Sequence, residues 1–217
     1  MYRSGSARTF ERQRVNSSSQ THPRGGAART LRIIGGVWRG RRLRFPAAPA
    51  IRPTPDRVRE TLFNWLMATL PGARCLDLFA GSGALGLEAL SRGAAHVTFV
   101  ERDRQASRAI EALLEEWDPG RRHGWAVVCA DARAFLGGAA RPFDIAFLDP
   151  PFDSSILPEV TARLESGGWL APGARVYLEC PAEHAPPAPA NWAHERGKRS
   201  GQVGYHLYSR HRGIAAE

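Results

Sequence analysis

The sequence predicts an α/β fold in which a mostly parallel, twisted sheet carries helices on both faces. Two observations support this prediction. From residue 71 onward, apolar runs of strand length alternate with runs of helical spacing, which is typical of βαβ units and of a parallel sheet buried on both faces. The length of 217 residues is sufficient for one domain with a substantial hydrophobic core.

Composition divides the chain into three segments. Residues 1–30 are rich in arginine, serine and glycine and contain few large apolar side chains, so we expect a disordered basic tail. We expect residues 31–70 to form a small β-hairpin followed by a helix. Residues 71–212 are expected to form the α/β domain.

In the N-terminal segment, short apolar runs flank glycine turns, and we expect strands at 31–34, 37–38 and 43–45. Thr54 and Pro55 indicate the start of a helix, with threonine as the N-cap and proline in the first helical position. Apolar residues at helical spacing continue this helix to Leu70.

In the α/β domain, apolar runs predict strands at 75–79, 97–100, 126–129, 145–148 and 202–209, and one further strand formed by 176–178 with a lead-in at 169–170. Helical spacing predicts helices at 83–92, 103–117 and 154–165. The proline-rich stretch at 186–189 is expected to be a loop.

Positive charge is concentrated near the N-terminus. The net charge is +9, to which residues 1–60 contribute +11 and residues 61–217 contribute −2. A second basic cluster lies between residues 196 and 212. Basic segments that flank a nearly neutral body are typical of proteins that contact nucleic-acid phosphates. We expect phosphate contacts from Arg39, Arg41, Arg42, Arg52, Arg57, Arg59, Lys198 and Arg199.

The sequence shows no pattern typical of a membrane segment, a signal peptide or a metal site. No apolar run approaches the roughly 20 residues of a membrane-spanning helix, and no signal-peptide run precedes the domain. We therefore expect a cytoplasmic protein with no membrane contact. Cys75, Cys129 and Cys180 lie about fifty residues apart, which fits neither paired disulfides nor a zinc site, so no metal site is expected.

A glycine-rich turn is expected where the first strand of the domain meets the first helix. Gly81, Gly83 and Gly86 allow a ligand to approach the backbone, and the following helix N-terminus favours an anionic group. This spacing also matches dinucleotide-binding proteins, with Glu101 as the acid that binds the ribose. An NAD-dependent dehydrogenase is therefore one alternative.

Four acids are expected at the carboxyl ends of successive strands, namely Asp77, Glu101, Asp131 and Asp149. Open α/β sheets bind ligands at this edge, although Asp131 is equally suited to capping a helix. Asp149 precedes two prolines and Phe152, an arrangement that presents a carboxylate, backbone carbonyls and an aromatic ring. Such a site suits a flat group that carries an NH₂.

These motifs resemble those of a known class of enzymes. The segments 77–83 and 149–152 are similar to the S-adenosylmethionine-dependent amino methyltransferases, in which a D/N-P-P-aromatic motif follows the fourth strand. The N-terminal half resembles the bacterial small-subunit ribosomal RNA guanine-N2 methyltransferases of the RsmD type, which modify guanine 966 of 16S rRNA. The matching N-terminal motifs are RIIGG at 32–36, WRGR at 38–41, RPT at 52–54 and RVRETLFN at 57–64. The resemblance runs from about Arg32 to Arg210, and the arginine- and serine-rich extension before Leu31 is the main departure from the family.

The resemblance implies a Rossmann-like class I methyltransferase fold that binds S-adenosylmethionine within residues 71–212. It implies that Gly81, Ser82 and Gly83 border the methionine end of the cofactor and that Asp77 lies near the ammonium. It implies that Glu101 binds the ribose hydroxyls, that Asp131 binds the adenine amine and that the Ala132 amide faces an adenine ring nitrogen. The implied catalytic residues are Asp149, Pro150, Pro151 and Phe152.

The resemblance further implies that 16S ribosomal RNA is the substrate, within a 30S subunit or an assembly intermediate, and that the protein is a monomer. Three alternatives remain open. The same proline motif occurs in methyltransferases that act on DNA adenine or on protein amides, and the glycine turn occurs in dehydrogenases. The third alternative is an RNA-binding protein without catalytic activity.

Overall fold

The computed structural model describes residue 1 and residues 29–45, 54–151, 155–184 and 186–211. The elements in chain order are β1 (Arg29–Arg32), β2 (Arg42–Phe45), α1 (Asp56–Trp65), β3 (Arg74–Asp77), α2 (Ala84–Ser91), β4 (His96–Glu101), α3 (Arg104–Trp117), β5 (Gly124–Cys129), α4 (Ala132–Leu136), β6 (Phe143–Leu148), α5 (Leu157–Ser166), β7 (Leu170–Pro181), β8 (Trp192–Ser200) and β9 (Val203–Arg210). Nearly all of the expected tail lies outside the described residues.

The central sheet has seven strands in the order β5-β4-β3-β6-β7-β9-β8. The first five are parallel, and β9 and β8 join antiparallel at the other end. After β3 the chain adds strands on one side and then, with β6, on the other. The crevice between β3 and β6 is therefore the point at which open α/β sheets bind ligands. The α/β prediction with a mostly parallel sheet is confirmed.

Both faces of the sheet are covered by buried apolar side chains. One cluster joins the sheet to α1, α2 and α3 and includes Phe63, Phe99 and Phe147. The other joins it to α4 and α5 and includes Leu148 and Leu164. Among the described residues, no helix is both long and apolar enough to cross a bilayer.

The N-terminal hairpin is an antiparallel pair in which Leu31 lies opposite Leu43 and Arg32 lies opposite Arg42. Leu43 is fully buried, so this hairpin packs one face on the domain and exposes the other. The prediction of a small hairpin is confirmed.

The strand predicted at residues 37–38 is wrong, because these residues form part of a turn. The Val37 amide donates to the Ser91 carbonyl at 2.7 Å, and the Trp38 amide donates to Ser91 Oγ at 2.9 Å. The Trp38 ring is buried against Trp117, with centroids 5.6 Å apart. Contacts with the end of α2 thus replace the pairing of a strand.

Two elements of the domain were not predicted. The helix α4 has five residues, which is too short to show a helical period. The strand β8 reads WAHERGKRS, with one buried and one half-buried residue, and lacks the apolar alternation of a half-buried strand. The runs predicted at 169–170 and 176–178 belong almost entirely to the single strand β7.

Candidate active site

The structure brings the four acids of the predicted site to one edge of the sheet. Asp77 and Glu101 are the last residues of β3 and β4, and Asp149 follows β6. Asp131 lies two residues beyond β5. Because β5, β4, β3 and β6 are parallel neighbours, their carboxyl ends share an edge, and Asp77 and Asp149 flank the crevice between β3 and β6.

The glycine turn after β3 is held by Glu101. Gly81 and Gly83 have φ values of 53° and 78°, in the left-handed region that favours glycine. The Gly81 amide donates to Glu101 Oε2 at 2.7 Å, and the Asp103 amide donates to Glu101 Oε1 at 2.8 Å. Each carboxylate oxygen has a further lone pair, so this fixed acid can also accept hydrogen bonds from a ligand.

Asp77 is a buried acid below this turn. Its Oδ2 accepts a hydrogen bond of 2.9 Å from the Gly86 amide in the first turn of α2, where Gly83 as N-cap has no side chain to do so. Burial raises the pKa of Asp77 to about 7; the hydrogen bond from Gly86 opposes the rise, and the nearby Glu101 carboxylate adds to it. A cation placed here would restore the charged form.

Asp131 is the N-cap of α4, so the capping interpretation is confirmed. Its Oδ1 accepts a hydrogen bond of 2.8 Å from the Arg133 amide. Ala132 is the buried first residue of that helix. The backbone before Asp131 lies at the end of β4, since the Ala130 amide donates to the Glu101 carbonyl at 3.1 Å.

Asp149 is half-buried and is linked through a threonine to a buried acid, Glu179. The Thr54 hydroxyl lies 3.1 Å from Asp149 Oδ2 and 3.2 Å from Glu179 Oε1. The Tyr177 hydroxyl donates to the same Glu179 oxygen at 2.7 Å. Burial and then the Glu179 carboxylate raise the pKa of Asp149 well above its usual value, against the hydrogen bond from Thr54.

Thr54 was predicted as a helix cap, and this prediction is wrong. The helix begins at Asp56 with Pro55 as its N-cap, and no side-chain cap is present there. The Thr54 hydroxyl points instead to Asp149 and Glu179. Sequence reasoning did not identify Glu179 or Tyr177 as site residues, although Glu179 follows the apolar run 176–178 as the other acids follow theirs.

The two prolines after Asp149 lie in the described part of the chain. Pro150 is buried and Pro151 is half-buried. Neither has a backbone N–H, and both restrict the backbone beside Asp149. The remaining residue of the motif, Phe152, lies outside the described residues.

Most of the basic residues expected to contact phosphates are on the surface. The exposed members of this set are Arg39, Arg41, Arg42, Arg57, Lys198 and Arg199. Arg52 lies outside the described residues. Arg44, which was not predicted, is exposed on the hairpin as well. The guanidinium of Arg41 lies 5.5 Å from the centre of the Trp117 ring.

Arg59 corrects the prediction of a phosphate contact, because its side chain is fully buried. Its Nη2 donates to Asp56 at 2.6 Å and to the Arg32 carbonyl at 2.9 Å, and its Nη1 lies 3.5 Å from Glu88. Glu88 also accepts hydrogen bonds of 2.8 Å from the amides of Ile34 and Gly35. Arg59 thus joins the hairpin, α1 and α2.

Comparison with known proteins places the chain in a family. Residues 31–209 match the family model described as Conserved hypothetical protein 95. Ribosomal RNA small subunit methyltransferase D of Escherichia coli (strain K12) is 50% identical over 181 residues, which cover 83% of this chain and 90% of the relative. The protein of the same name from Haemophilus influenzae is 39% identical over 179 residues, which cover 82% and 93%.

A solved structure agrees with these sequence matches. That of yhhF from Escherichia coli superimposes with a TM-score of 0.76 at 47% identity, covering 84% of this chain and 99% of that one. The matched regions include the glycine turn, all four acids at the sheet edge and the proline motif. The chain therefore belongs to the Conserved hypothetical protein 95 family, the family of the ribosomal RNA small subunit methyltransferase D proteins.

Proposed function

We propose that this protein transfers a methyl group from S-adenosylmethionine to the exocyclic N2 of a guanine in 16S ribosomal RNA, and that the guanine is number 966. Family membership supports an enzyme that acts on small-subunit ribosomal RNA. The observation that carries the choice of chemistry is Asp149 at the crevice between β3 and β6. This acid is followed by two prolines, and the strand it follows is the neighbour of β3, which leads into the glycine turn.

The residues present fit S-adenosylmethionine, and the reason is the donor and acceptor set. The ligand carries two ribose hydroxyls, an adenine amine and an ammonium, all hydrogen-bond donors, and the sheet edge presents fixed carboxylates. We assign Glu101 to the ribose, Asp131 to the adenine amine and Asp77 to the ammonium. The Ala132 amide faces an adenine ring nitrogen in this assignment.

The ligand's carboxylate is assigned to the glycine turn. Gly81, Ser82 and Gly83 lead directly into α2, whose first amides and positive dipole end favour an anion. Both glycines have left-handed conformations that other residues rarely adopt, and at Gly83 a Cβ would also lie only 3.1 Å from Ile110 Cγ1. Asp77, at the base of the same turn, balances the carboxylate with an acceptor for the ammonium.

When bound, S-adenosylmethionine would supply the methyl group from its sulfonium and would become a neutral thioether, while N2 would gain the methyl carbon and lose one proton to solvent. Guanine N2 is a poor nucleophile because its lone pair is delocalised into the ring. We assign the Asp149 carboxylate and the Pro150 carbonyl as acceptors of hydrogen bonds from the two N–H groups at N2. These two hydrogen bonds localise the lone pair and stabilise the positive charge that develops on nitrogen.

The remaining residues of the motif, Pro151 and Phe152, are assigned to positioning the acceptors and the base. Pro151 stiffens the backbone beside the acceptors. Phe152 is assigned to stacking on the base, an interaction worth about 1–3 kcal/mol. The guanine has to leave its stack to enter the crevice, which costs least in an RNA loop.

RNA binding is assigned to the hairpin and helix of residues 31–70 together with β8. On the hairpin Arg32 is paired with Asp56 at 3.0 Å, whereas Arg39, Arg41 and Arg42 are exposed. Exposed guanidinium groups of this kind suit the phosphates of an RNA backbone. In this assignment residues 31–70 position the RNA beside the α/β domain of residues 71–212. We further propose that the enzyme is a monomer and that it acts on a 30S subunit or an assembly intermediate.

The test is mass mapping of methylated guanines in 16S ribosomal RNA. The rRNA comes from cells that lack this gene and from the same cells given the wild type or the Asp149→Ala variant. We expect N2-methylation of guanine 966 to be lost, to return with the wild type and to stay absent with the variant. An unchanged set of methylated guanines in the deletion strain would contradict the proposal.

A further inference from the structure

Three acids stand side by side at the carboxyl ends of adjacent strands. Asp77, Asp149 and Glu179 belong to or follow β3, β6 and β7, and Leu148 and Leu178 are register partners just before the last two. Glu179 is only 5% exposed. In the described ranges, every ion pair involves other acids. Two neighbouring carboxylates, one buried and one half-buried, with no cation paired to them among the described residues, do not both carry a full charge.

The number of hydrogens available around Thr54 also indicates that one of the two acids is protonated. Its hydroxyl lies 3.1 Å from Asp149 Oδ2 and 3.2 Å from Glu179 Oε1, but it has a single hydrogen to donate. It therefore donates to one carboxylate and accepts from the other, which requires a proton on the second acid. The Tyr177 hydroxyl, which donates to Glu179 Oε1, does not change this count because it needs only an acceptor.

We propose that Glu179 is a neutral carboxylic acid in the resting enzyme and that it donates its proton to Thr54, which in turn donates to Asp149. The hydrogen bonds then run in one direction, from Tyr177 through Glu179 and Thr54 to the charged Asp149 carboxylate. Glu179 is a positioning residue in this arrangement, since it acts on the substrate only through Asp149. The part of Asp149 as acceptor of the guanine N2 hydrogens rests on the proposed function.

The difference in exposure favours the neutral form at Glu179. Glu179 is buried whereas Asp149 is half-buried, so a charge on Glu179 loses more hydration than a charge on Asp149. Burial raises the pKa of Glu179, and the hydrogen bonds from Tyr177 and Thr54 oppose this rise. In the part of the chain that the structure describes, the other ionisable groups that interact electrostatically within this cluster are Asp77, Asp149, Tyr177, Cys180 and Tyr205, all of which are uncharged or negative. One proton shared by the pair removes the repulsion between the two carboxylates and leaves a single charge at the position nearest the substrate.

Infrared spectroscopy tests the proton directly. Since Asp77, with its raised pKa, also holds a proton near neutral pH, the measurement at pH 7 uses the Asp77→Asn variant as background. We expect the carbonyl stretch of a protonated carboxylic acid in this background and its loss when Glu179→Gln is added. Glu183→Gln, at an exposed glutamate in the turn after β7, is the matched control and keeps the band. Absence of the band before Glu179 is changed, or its persistence afterwards, would overturn the proposal.

Single-turnover methylation tests the positioning role, with thermal melting to verify that each variant is folded. The amide nitrogen of glutamine, placed where Glu179 Oε1 lies, can donate one hydrogen to the Thr54 hydroxyl and the other to the Tyr177 oxygen. Glu179→Gln is therefore expected to keep a rate within about threefold of wild type. Glu179→Ala breaks the chain and lowers the rate about 10- to 100-fold, as expected for a displaced catalytic group. Equal loss in both variants, or no loss in Glu179→Ala, would overturn the proposal. The expected infrared result with no methylation by the wild type would instead contradict the proposed function while supporting the shared proton.

Discussion

The amide of Gly81 donates a hydrogen bond of 2.7 Å to the carboxylate of Glu101. The contact joins the end of β4 to the turn that follows β3, so the acid assigned to the ribose also holds the turn assigned to the methionine end. A substitution at Glu101 therefore acts on both halves of the cofactor site. Its carboxylate is fixed before the cofactor binds, which lowers the entropy cost of binding.

Replacement of Glu101 with alanine is expected to weaken binding of the demethylated cofactor, S-adenosylhomocysteine. Removing each charge-assisted hydrogen bond to the ribose costs about 1.5–3 kcal/mol, or about tenfold or more in affinity. Calorimetry measures the change, with Glu115→Ala on the exposed side of α3 as the control. Binding of NAD with comparable affinity would contradict the assignment of this site.

The affinity for S-adenosylhomocysteine is expected to depend on pH through Asp77. Its pKa of about 7 in the free protein means that the carboxyl is largely protonated below pH 7. An ammonium beside it favours the charged form, so binding releases a proton and weakens as the pH falls below 7, by up to about tenfold per pH unit. Titrations at pH 6 and pH 8 test this, and Asp77→Asn is expected to bind more weakly with a flatter pH dependence. An equal pH dependence in both proteins would separate Asp77 from the ammonium.

Much of this fold could be predicted because buried parallel strands are continuous and apolar. The strands β3 to β6 and the helices α2, α3 and α5 lie within a few residues of their predicted bounds. The acids at the sheet edge could be found for the same reason, since each follows an apolar run. The edge strand β8 lacked this signal, because its pairing with β9 depends on backbone hydrogen bonds rather than on buried side chains.

Roles that depend on distant partners could not be predicted. Thr54 and Asp149 are 95 positions apart, and only the packing of α1 against the sheet brings them together. Arg59 looks like its exposed neighbour Arg57 in the sequence, yet it is buried next to Glu88, 29 positions away. Helical spacing places Arg59 beside Leu62 and Phe63 on the buried side, but a charged residue is buried only where such a partner exists.

Arg59 and Arg57 are expected to differ in effect although they are two positions apart on α1. Arg59→Ala removes the cation that contacts the buried Glu88 and the half-exposed Asp56, and we expect a loss of about 3–5 kcal/mol in the free energy of unfolding because Glu88 is left buried without this partner. Arg57→Ala, at an exposed site, is expected to change this free energy by at most about 0.5 kcal/mol. Urea denaturation measures both, and equal stability of the two variants would contradict the buried network.

RNA affinity is expected to fall steeply with salt because the exposed arginines contact phosphates. Arg42→Ala, and likewise Arg39→Ala, should lower the slope of log affinity against log salt concentration by about one unit. Removal of residues 1–29, which carry six arginines and one acid, should lower the slope further and leave the methylated nucleotide unchanged. Methylation of a different nucleotide by the truncated protein would show that the tail selects the target.

Asp149 is expected to contribute to the methyl-transfer step more than to binding. Its carboxylate lies at the crevice between β3 and β6 rather than beside the ribose acid Glu101, so Asp149→Ala should leave the affinity for S-adenosylhomocysteine near that of the wild type. The N2 hydrogens bind more strongly to a carboxylate as the nitrogen becomes positive, and this interaction is therefore stronger in the transition state than in the ground state. Loss of one such preorganised partner lowers the rate by roughly 10²-fold or more.

The measurement is single-turnover methylation of a 30S-derived particle with labelled cofactor, alongside separate binding titrations. Phe152→Leu is the comparison variant, because stacking holds the base before and during transfer and its loss should weaken RNA capture more than the rate at saturation. A fall in the transfer rate of Asp149→Ala with cofactor affinity retained would support the assignment of the N2 hydrogens to its carboxylate. Transfer by this variant at the wild-type rate would remove Asp149 from the mechanism, and with it the main reason for choosing an exocyclic amine as the acceptor.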